Sequence, residues 1–185
     1  MKIENLLLLV THYFDTNTIP YAVVGGFSAI VWGRGRSTYD IDIIIEHNKL
    51  NFKDFVEFML RNGLKTSETD LKKAFEEHSH ATILSTDSTI FRIDLKGIYS
   101  SLDRETIETA KEINYKNQKI KFGSPENLIA HKLYFGSDRD LEDALVVLIA
   151  QEKALDMDYL VLLSNKLRVN KKLERLLEIV KNKNI

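Results

Sequence analysis

The chain has 185 residues, with 26 Lys and Arg against 27 Asp and Glu, which gives a formal net charge of −1. This length predicts one domain, or one domain with a small appendage, and the balanced charge argues against a generally basic nucleic-acid coat. The absence of cysteine excludes disulfides, thiolate zinc sites and a cysteine nucleophile. The apolar run Leu6–Val10 is too short for a membrane span or signal segment, so we expect a soluble, cytoplasmic protein.

The first two thirds of the chain alternate between helical and strand-like periodicity. Apolar residues recur three and four positions apart in the predicted helices, and strands show short buried runs or strict alternation. Asn17 and Pro20 end the first helix, and the pair Asn62-Gly63 ends the third. The predicted elements are helix 3–14, strand 21–24, helix 27–32, strand 40–45, helix 52–60, helix 68–75, strands 81–84 and 90–95 joined by a hairpin-like turn at 85–88, helix 101–112 and strand 119–122.

The remainder of the chain is predicted to be helical. Ser124, Pro125 and Glu126 form a typical helix start, with an N-cap, a proline at the first position and an acid in the first turn. Two further apolar faces follow, one on Leu141, Ala144, Leu145, Leu148 and Ile149 and one on Leu173, Leu176, Leu177 and Val180. We therefore predict an α/β core at 1–122 and a C-terminal helical subdomain at 123–185 packed on it, since no linker separates them.

Two aspartates occupy alternate positions of the predicted strand 40–45. Side chains alternate along a strand, so Asp40 and Asp42 project from one face while the neighbouring isoleucines point into the core. Two carboxylates one pleat apart repel each other unless a cation lies between them. Oxygen ligands at this spacing suit Mg²⁺ or Mn²⁺, which commonly share their sites with phosphates. The pair therefore indicates a metal site.

A glycine pair lies where strand 21–24 gives way to a helix. Gly25 and Gly26 allow a ligand to approach the backbone closely, and the helix that follows offers free N–H groups to a phosphate. Ser28 adds a hydroxyl donor to the same phosphates. Placed beside the paired acids, this turn predicts a site for a nucleoside triphosphate and a metal.

A third acid lies on a later strand. Asp94 alternates with apolar residues and therefore faces the exposed side of strand 90–95. If that strand neighbours Asp40 and Asp42, three carboxylates converge, of which two hold metals and the third helps to activate an acceptor hydroxyl. Each motif alone is more often a turn, a solvated face or a salt bridge. Their order along the chain favours the active site.

The order of these motifs resembles the nucleotidyltransferase superfamily, which has the polymerase-beta-like fold. The signature of that superfamily is a hydrophobic residue before Gly-Gly or Gly-Ser, then Asp-x-Asp or Asp-x-Glu, then a third acid on a later strand. Val24-Gly25-Gly26, Asp40-Ile41-Asp42 and Asp94 match in that order. The lead-in Arg36-Ser37-Thr38 resembles the R-x-T-x-D-x-D form of small bacterial and archaeal members.

A second match lies downstream, in residues 124–133 and 139–143. It is similar to the helical half of minimal nucleotidyltransferases related to the abortive-infection AbiE-type toxins, where a helix lysine and an Arg-Asp-x-x-Asp helix recur. The two matches cover roughly residues 21–150. Together they imply an α/β (α+β) fold, a mixed sheet flanked by helices with a small C-terminal helical subdomain, and a toxin–antitoxin setting.

The resemblance also implies a role for each matching residue. Gly25, Gly26 and Ser28 would hold the triphosphate, Asp40 and Asp42 would bind two divalent metals, Asp94 would complete the triad, Lys132 would touch nucleotide phosphate, and Asp140 would be the acid of the Arg-Asp-x-x-Asp helix. The residues themselves leave alternatives. The Lys132 stem follows an apolar stripe, either toward a cleft or along the core edge. Asp140 lies at the rim of its helix face and points to the cleft or to solvent.

Four further features carry weaker predictions. Arg139 and Asp143 are four residues apart and are placed to pair with each other. Arg34 and Arg36 steer a nucleotide or an RNA phosphate, or belong to a solvated loop. His78 and His80 have no third ligand nearby in the sequence, which favours exposed histidines over a metal site. A basic C-terminal stretch would contact tRNA or an acidic partner, or form the outer face of a helix; it contains Lys166, Arg168, Lys171, Lys172, Arg175, Lys181 and Lys183.

These observations predict a metal-dependent nucleotidyltransferase that moves a nucleoside monophosphate from a triphosphate to an acceptor hydroxyl, with Mg²⁺ or Mn²⁺ and release of pyrophosphate. A non-catalytic module of the same fold, antitoxin-like or a pseudoenzyme, is the first alternative, and an Asp-x-Asp glycosyltransferase is the second. RNA such as tRNA, a protein and a small molecule stay open as acceptors. A partner protein or a homo-oligomer also stays open, and no membrane contact is expected.

Overall fold

The computed structural model describes residues 2–86 and 90–183. Within them the chain forms nine α-helices and seven strands. In chain order the elements are α1 (Ile3–Thr16), β1 (Tyr21–Val24), α2 (Gly25–Val31), β2 (Asp40–Ile45), α3 (Phe52–Arg61), β3 (Leu64–Lys65), α4 (Glu68–Glu76), β4 (His80–Ser85), β5 (Arg92–Gly97), α5 (Ser101–Glu108), β6 (Lys111–Tyr115), β7 (Gln118–Phe122), α6 (Pro125–Phe135), α7 (Asp138–Gln151), α8 (Met157–Lys166) and α9 (Asn170–Lys183).

The backbone divides into two compact units. The first comprises Met1–Phe27 and Thr38–Gly123, and the second comprises Ser28–Ser37 and Ser124–Ile185. The first unit therefore contains the whole sheet, and the second contains the four C-terminal helices. Helix α2 begins in the first unit and continues into the second, and the loop after α2 belongs to the second.

The first unit is built on a seven-stranded mixed sheet in the order β3-β4-β5-β2-β1-β7-β6. Strand β2 lies in the middle, antiparallel to β1 and parallel to β5. Alternation along β2 explains its position, because Ile41, Ile43 and Ile45 are at most 1% exposed while Asp40 and Asp42 face the other side. The α/β class and the neighbouring placement of the two acidic strands are confirmed.

An aromatic cluster packs α1 and α3 in the core of this unit. The rings of Phe14 and Phe55 are stacked with centroids 5.9 Å apart, and Tyr13 meets the edge of Phe55 at 5.1 Å. Phe14 also contacts Tyr21 of β1. These side chains are at least 94% buried, so they supply a large part of the apolar area that the fold removes from water.

The second unit is a group of four helices with clear end signals. The Ser124 side chain caps α6 by accepting a hydrogen bond from the Asn127 backbone N–H, and Pro125 occupies the first helical position, as the sequence predicts. Gly136 ends the helix at φ +70°, a conformation that glycine adopts without cost. Lys172 of α9 donates to the carbonyl of Leu133 at 2.7 Å and so satisfies one of the terminal acceptors of α6.

Two sequence predictions about elements are wrong at their edges. Helix α2 begins at Gly25, two residues earlier than expected. The helix predicted over 101–112 ends at Glu108, and Lys111–Tyr115 forms strand β6. Strand β6 joins β7 through Lys116 and Asn117, both at positive φ, which is the geometry of a two-residue hairpin turn. The predicted hairpin turn at 85–88 lies partly outside the described residues.

The buried face of α7 also differs from the predicted one. Asp143, Ala144, Val147 and Leu148 are buried, whereas Ile149 is 43% exposed. The face is rotated toward Asp143 because three cationic side chains bind this carboxylate. On α9, Leu173, Leu176 and Val180 are buried as predicted.

Candidate active site

The three predicted acids lie on adjacent strands of the first unit. The parallel pairing of β2 with β5 places Asp42 opposite Asp94 and Asp40 opposite Arg92. All four side chains project from the same face of the sheet, since each is two residues from its neighbour on the strand. Asp94 is only 8% exposed, which is more buried than its alternation pattern suggests. The register therefore brings Asp40, Asp42 and Asp94 together.

Arg92 lies among these acids and bridges two of them. Its Nε donates to Asp94 Oδ2 at 2.8 Å, and its Nη2 donates to Asp40 Oδ2 at 3.2 Å. The hydrogen bond to Asp94 raises the pKa of Arg92, and the charges of Asp94, Asp40 and Asp42 act in the same direction. The side chain is 48% exposed, so the guanidinium binds both carboxylates while it stays in contact with solvent.

Two threonines orient the same carboxylates. Thr38 donates its hydroxyl to Asp40 Oδ1 at 2.7 Å, and Thr82 donates to Asp94 Oδ1 at 2.6 Å. Thr82 stands opposite Asp94 in the antiparallel pair of β4 and β5. Each of the two acids therefore has one oxygen on a threonine and the other on Arg92, which fixes the rotation of both carboxylates.

Asp42 is packed against the glycine turn. Gly25 has φ +65°, and a Cβ built on it would lie 2.8 Å from Asp42 Cγ and closer still to Oδ2. Only glycine leaves room for the carboxylate here and also adopts this backbone conformation without strain. The paired register of Val24 with Asp42 creates this approach. The glycine pair and the acidic strand are thus adjacent, as the predicted site requires.

Ser28 occupies a different environment from the one predicted for a phosphate ligand. It is completely buried in the second unit, and within the described part of the chain its Oγ has no hydrogen-bond partner. The proposed contact with a triphosphate stays a prediction, and it requires this hydroxyl to reach a ligand from inside a core. Gly26 lies in the first turn of α2.

The remaining predicted residues meet in an ion-pair network of the second unit. Asp143 is fully buried and accepts two hydrogen bonds of 3.0 Å from Arg36. It also forms an ion pair with Lys132, whose Nζ lies 3.1 Å from Asp143 Oδ2. Lys132 also binds Asp140 Oδ1 at 2.7 Å. Arg34 contacts Asp143 at 3.4 Å and Glu142 at 2.7 Å. The Lys132 ammonium therefore lies between two carboxylates, and its side chain is only 12% exposed.

Burial alone would raise the pKa of Asp143, but hydrogen bonds from Arg36 and Lys132 outweigh it and hold that pKa below its ordinary value. The same balance lowers the pKa of Asp140, where the donors are Lys132 and Ser137. Asp140 also completes a capping box with Ser137 at the start of α7. Both acids are consequently charged and structurally engaged at neutral pH.

The predicted pairing of Arg139 with Asp143 is wrong. Asp143 binds Arg36 and Lys132 instead, and the Arg139 guanidinium donates to the backbone carbonyl of Ser37 at 3.3 Å. The physical reason is burial, because an enclosed carboxylate binds the cations that share its enclosure rather than an exposed side chain on its own helix.

Arg92, Thr38, Thr82 and Asp143 are residues that sequence reasoning did not assign to a site. Arg92 carried a usable signal, since it is two residues before Asp94 on one strand and must share its face. The alternation of β4 gives the same signal for Thr82 only once the pairing with β5 is known. Asp143 is the last acid of the matched Arg-Asp-x-x-Asp motif, but its pairing with Arg36 had no signal, because the two residues are 107 positions apart in the sequence.

The acidic row, Asp40, Asp42 and Asp94, has the ligand chemistry that suits a hard divalent cation, but Arg92 already binds two of its three carboxylates. Carboxylate oxygens from adjacent strands are the ligands that Mg²⁺ and Mn²⁺ prefer, and Asp42 is held in place by the glycine cradle. Over residues 2–86 and 90–183, no group of three or more His, Asp or Glu side chains is arranged to hold a metal ion. Arg92 binds one oxygen of Asp40 and one oxygen of Asp94.

His78 and His80 are exposed, as predicted. His78 stacks on Tyr99 with ring centroids 4.8 Å apart.

None of the helices in the described ranges is long and apolar enough to cross a membrane.

Comparison with known proteins identifies the fold through structure rather than sequence. No protein-family model matches the chain, and no curated protein matches it in sequence. The crystal structure of an antigenic nucleotidyltransferase-like protein from Paracoccidioides brasiliensis matches 95% of this chain and 92% of its own, with a TM-score of 0.56 and 18% identity. The chain has a nucleotidyltransferase-like fold.

An antibiotic-resistance factor and an antibiotic adenylyltransferase show the same likeness. The solution structure of the antibiotic-resistance factor ANT(2'')-Ia covers 96% of both chains, with a TM-score of 0.60 and 12% identity. The lincomycin-bound lincosamide antibiotic adenylyltransferase LnuA covers 78% of this chain and 95% of its own, with a TM-score of 0.53 and 19% identity. At these identities the likeness concerns the fold alone, and it confirms the fold that the motifs imply.

Proposed function

We propose that this chain is a metal-dependent nucleotidyltransferase, which transfers a nucleoside monophosphate from a nucleoside triphosphate to an acceptor hydroxyl. The observation that carries the proposal is the register of β2 and β5, which places Asp42 opposite Asp94 with Asp40 beside them. The glycine turn that packs against Asp42 supports it, because a phosphate-binding turn and an acidic row must be adjacent for this reaction. The nucleotidyltransferase-like fold also supports this reaction.

The reaction replaces one phosphoanhydride bond with one phosphoester bond. The acceptor oxygen attacks the α-phosphorus, the bond to the β-phosphate breaks, and pyrophosphate leaves with its electrons. Asp94 is the carboxylate that takes the proton of the acceptor hydroxyl, and Thr82 keeps it oriented for that task. The protein contributes mainly positioning and charge.

Asp40, Asp42 and Asp94 are the residues that would hold Mg²⁺ or Mn²⁺, whose charge would neutralise the triphosphate when bound. Gly25 and Gly26 would present backbone to the phosphates, with Ser28 nearby in the chain. The sequence also predicts that Arg36, Lys132 and Asp140 contact the nucleotide, and these three roles stay proposals. In the second unit all three side chains are bound in ion pairs, with Asp143 or with each other.

The acceptor belongs to one of three classes, namely RNA such as tRNA, a protein, or a small molecule. The helical-half motif favours the AbiE-type group and a cytoplasmic toxin–antitoxin role with a partner protein. The structures of LnuA with lincomycin and of ANT(2'')-Ia with adenylyl-2''-tobramycin make small hydroxyl-bearing antibiotics the class to test first. We include all three classes in the experiment.

Label transfer tests the proposal directly. The protein is incubated with each α-labelled nucleoside triphosphate and Mg²⁺ or Mn²⁺, in the presence of bulk tRNA, cell lysate, aminoglycosides or lincosamides. We expect transfer by the wild type and a loss of at least a hundredfold in Asp42→Ala, the size typical for removing one transition-state contact. Asp158→Ala, an exposed acid on α8, is the matched control and should retain activity. Absence of transfer with every acceptor counts against the proposal.

A non-catalytic module of the same fold is the second candidate, and Arg92 is the observation that favours it. A row of acids already bridged by an arginine is the arrangement expected of a protein that binds a partner or a nucleotide without turnover. Nucleotide binding in the presence of Mg²⁺, with no label transfer to any acceptor, would identify this module.

A further inference from the structure

Arg92 has an unusual position for a residue of a cation site. It stands opposite Asp40 across the β2–β5 register, and it precedes Asp94 by two residues on its own strand. Its two donor nitrogens therefore lie between the two acids, at 2.8 Å from Asp94 Oδ2 and 3.2 Å from Asp40 Oδ2. A divalent cation bound by these carboxylates would need the same oxygens.

The reason for this arrangement is electrostatic. Three carboxylates on neighbouring positions of one sheet face repel one another strongly unless a positive charge lies among them. The guanidinium supplies that charge through a planar fork that suits two separated carboxylates. Because nearly half of the side chain is exposed, the guanidinium can leave into solvent without disturbing the core.

We propose that Arg92 is a built-in counterion, which holds the acidic row together in the cation-free protein and must be displaced before a divalent cation binds. The proposal deepens the proposed function and rests on it, since the same carboxylates form the cation site. Arg92 is in this sense a positioning residue. It sets the apparent cation affinity, because part of the binding free energy is spent on breaking its two ion pairs.

The test measures cation binding without nucleotide or acceptor. Calorimetric titration with Mn²⁺ is performed on the wild type and on Arg92→Gln. We expect Arg92→Gln to bind Mn²⁺ about three- to tenfold more tightly, the size that the loss of two partly exposed ion pairs predicts. Arg92→Lys keeps the charge but loses the fork, and should give an intermediate affinity.

Two controls make the result specific. Arg61→Gln removes an arginine of the same unit from an exposed ion pair with Glu57 and should leave Mn²⁺ affinity unchanged. In the Asp40→Asn background, Arg92→Gln should give a smaller gain in Mn²⁺ affinity than in the wild type, because one of the carboxylates that Arg92 binds is neutralised. Thermal unfolding in EDTA gives a second readout. Arg92→Gln should melt at a lower temperature than the wild type in EDTA and recover on addition of Mn²⁺.

The outcomes separate this proposal from the proposed function. Equal or weaker Mn²⁺ binding by folded Arg92→Gln overturns the role of Arg92, as does absence of binding in both proteins. Tighter binding by Arg92→Gln, together with no label transfer by any variant, supports the role of Arg92 and counts against the transferase reaction.

Discussion

The two charged clusters of this protein differ in the balance of their charges and in the burial of their side chains. In the first unit, Asp40, Asp42 and Asp94 face one arginine, so their net formal charge is −2, and Arg92 is 48% exposed. In the second unit, the cations Arg34, Arg36 and Lys132 face the acids Asp140, Glu142 and Asp143, so the net charge is zero. Asp143 is fully buried, and Lys132 and Arg36 are each 12% exposed.

This difference indicates different tasks. A buried network with balanced charge is expensive to disturb and has no need of a ligand. A partly exposed row of acids with excess negative charge gains from an incoming cation and costs the fold little. We therefore expect the cluster in the second unit to stabilise the fold, and the cluster in the first unit is the one that we propose to bind a cation.

Asp143→Ala should have the largest effect on stability. It leaves three cationic side chains around a site without their common anion, and removal of one partner from a buried ion pair costs about 3–5 kcal/mol. The free energy of unfolding, measured in urea, should fall by that amount. Glu142→Ala, the neighbouring acid that is 66% exposed, is the control and should cost less than about 1 kcal/mol. Similar losses in both variants would remove the basis of the comparison.

Gly25→Ala should have the next largest effect, and it should act on both stability and site. The substitution forces a residue with a Cβ into φ +65° and toward Asp42. A strained backbone of this kind costs about 1–3 kcal/mol. Gly35→Ala is a matched control, since no heavy atom lies within 4 Å of the Cβ position there. If Gly25→Ala unfolds at the same urea concentration as Gly35→Ala, the cradle around Asp42 is not as tight as the structure shows.

Acid should destabilise the second unit through Asp143. The pKa of this carboxyl is lowered in the folded state, so its contribution to stability is complete above the unfolded value of about 4 and is lost as the pH falls through the folded value. Urea unfolding between pH 7 and pH 3 should therefore show a steeper loss for the wild type than for Asp143→Asn below about pH 4. Parallel curves would contradict the assignment.

The sequence predicted the local parts of the site better than the distant ones. Alternation along β2 was sufficient to place Asp40 and Asp42 on one face and the isoleucines in the core. The sequence places Asp94 beside Asp40 and Asp42 only if β5 pairs with β2. That pairing depends on contacts between strands about fifty residues apart. The register that puts Asp42 opposite Asp94 has no local signal.

The errors have the same physical origin. Strand β6 is short, polar and at the sheet edge, so its pattern does not differ from a helix end, and only its pairing with β7 makes it a strand. Leucine spacing predicts an apolar face on α7, but spacing cannot reveal that a buried carboxylate replaces an apolar residue there. Arg36 and Asp143 are separated by 107 positions in the sequence, a distance over which spacing carries no information.

Asp42→Asn should have the smallest effect on stability, and this sharpens the contrast with Asp143. Replacing one of three like charges relieves repulsion in the acidic row while leaving the shape of the side chain unchanged. In EDTA the free energy of unfolding should stay within about 0.5 kcal/mol of the wild type, the range of surface substitutions, or rise slightly. Addition of Mg²⁺ should stabilise the wild type, because a ligand that binds only the folded state adds its binding free energy, and Asp42→Asn should lose most of that gain. A loss above about 2 kcal/mol in EDTA, well outside that range, would mean that the row is structural, as the network around Asp143 is, and that the two clusters do not differ in kind.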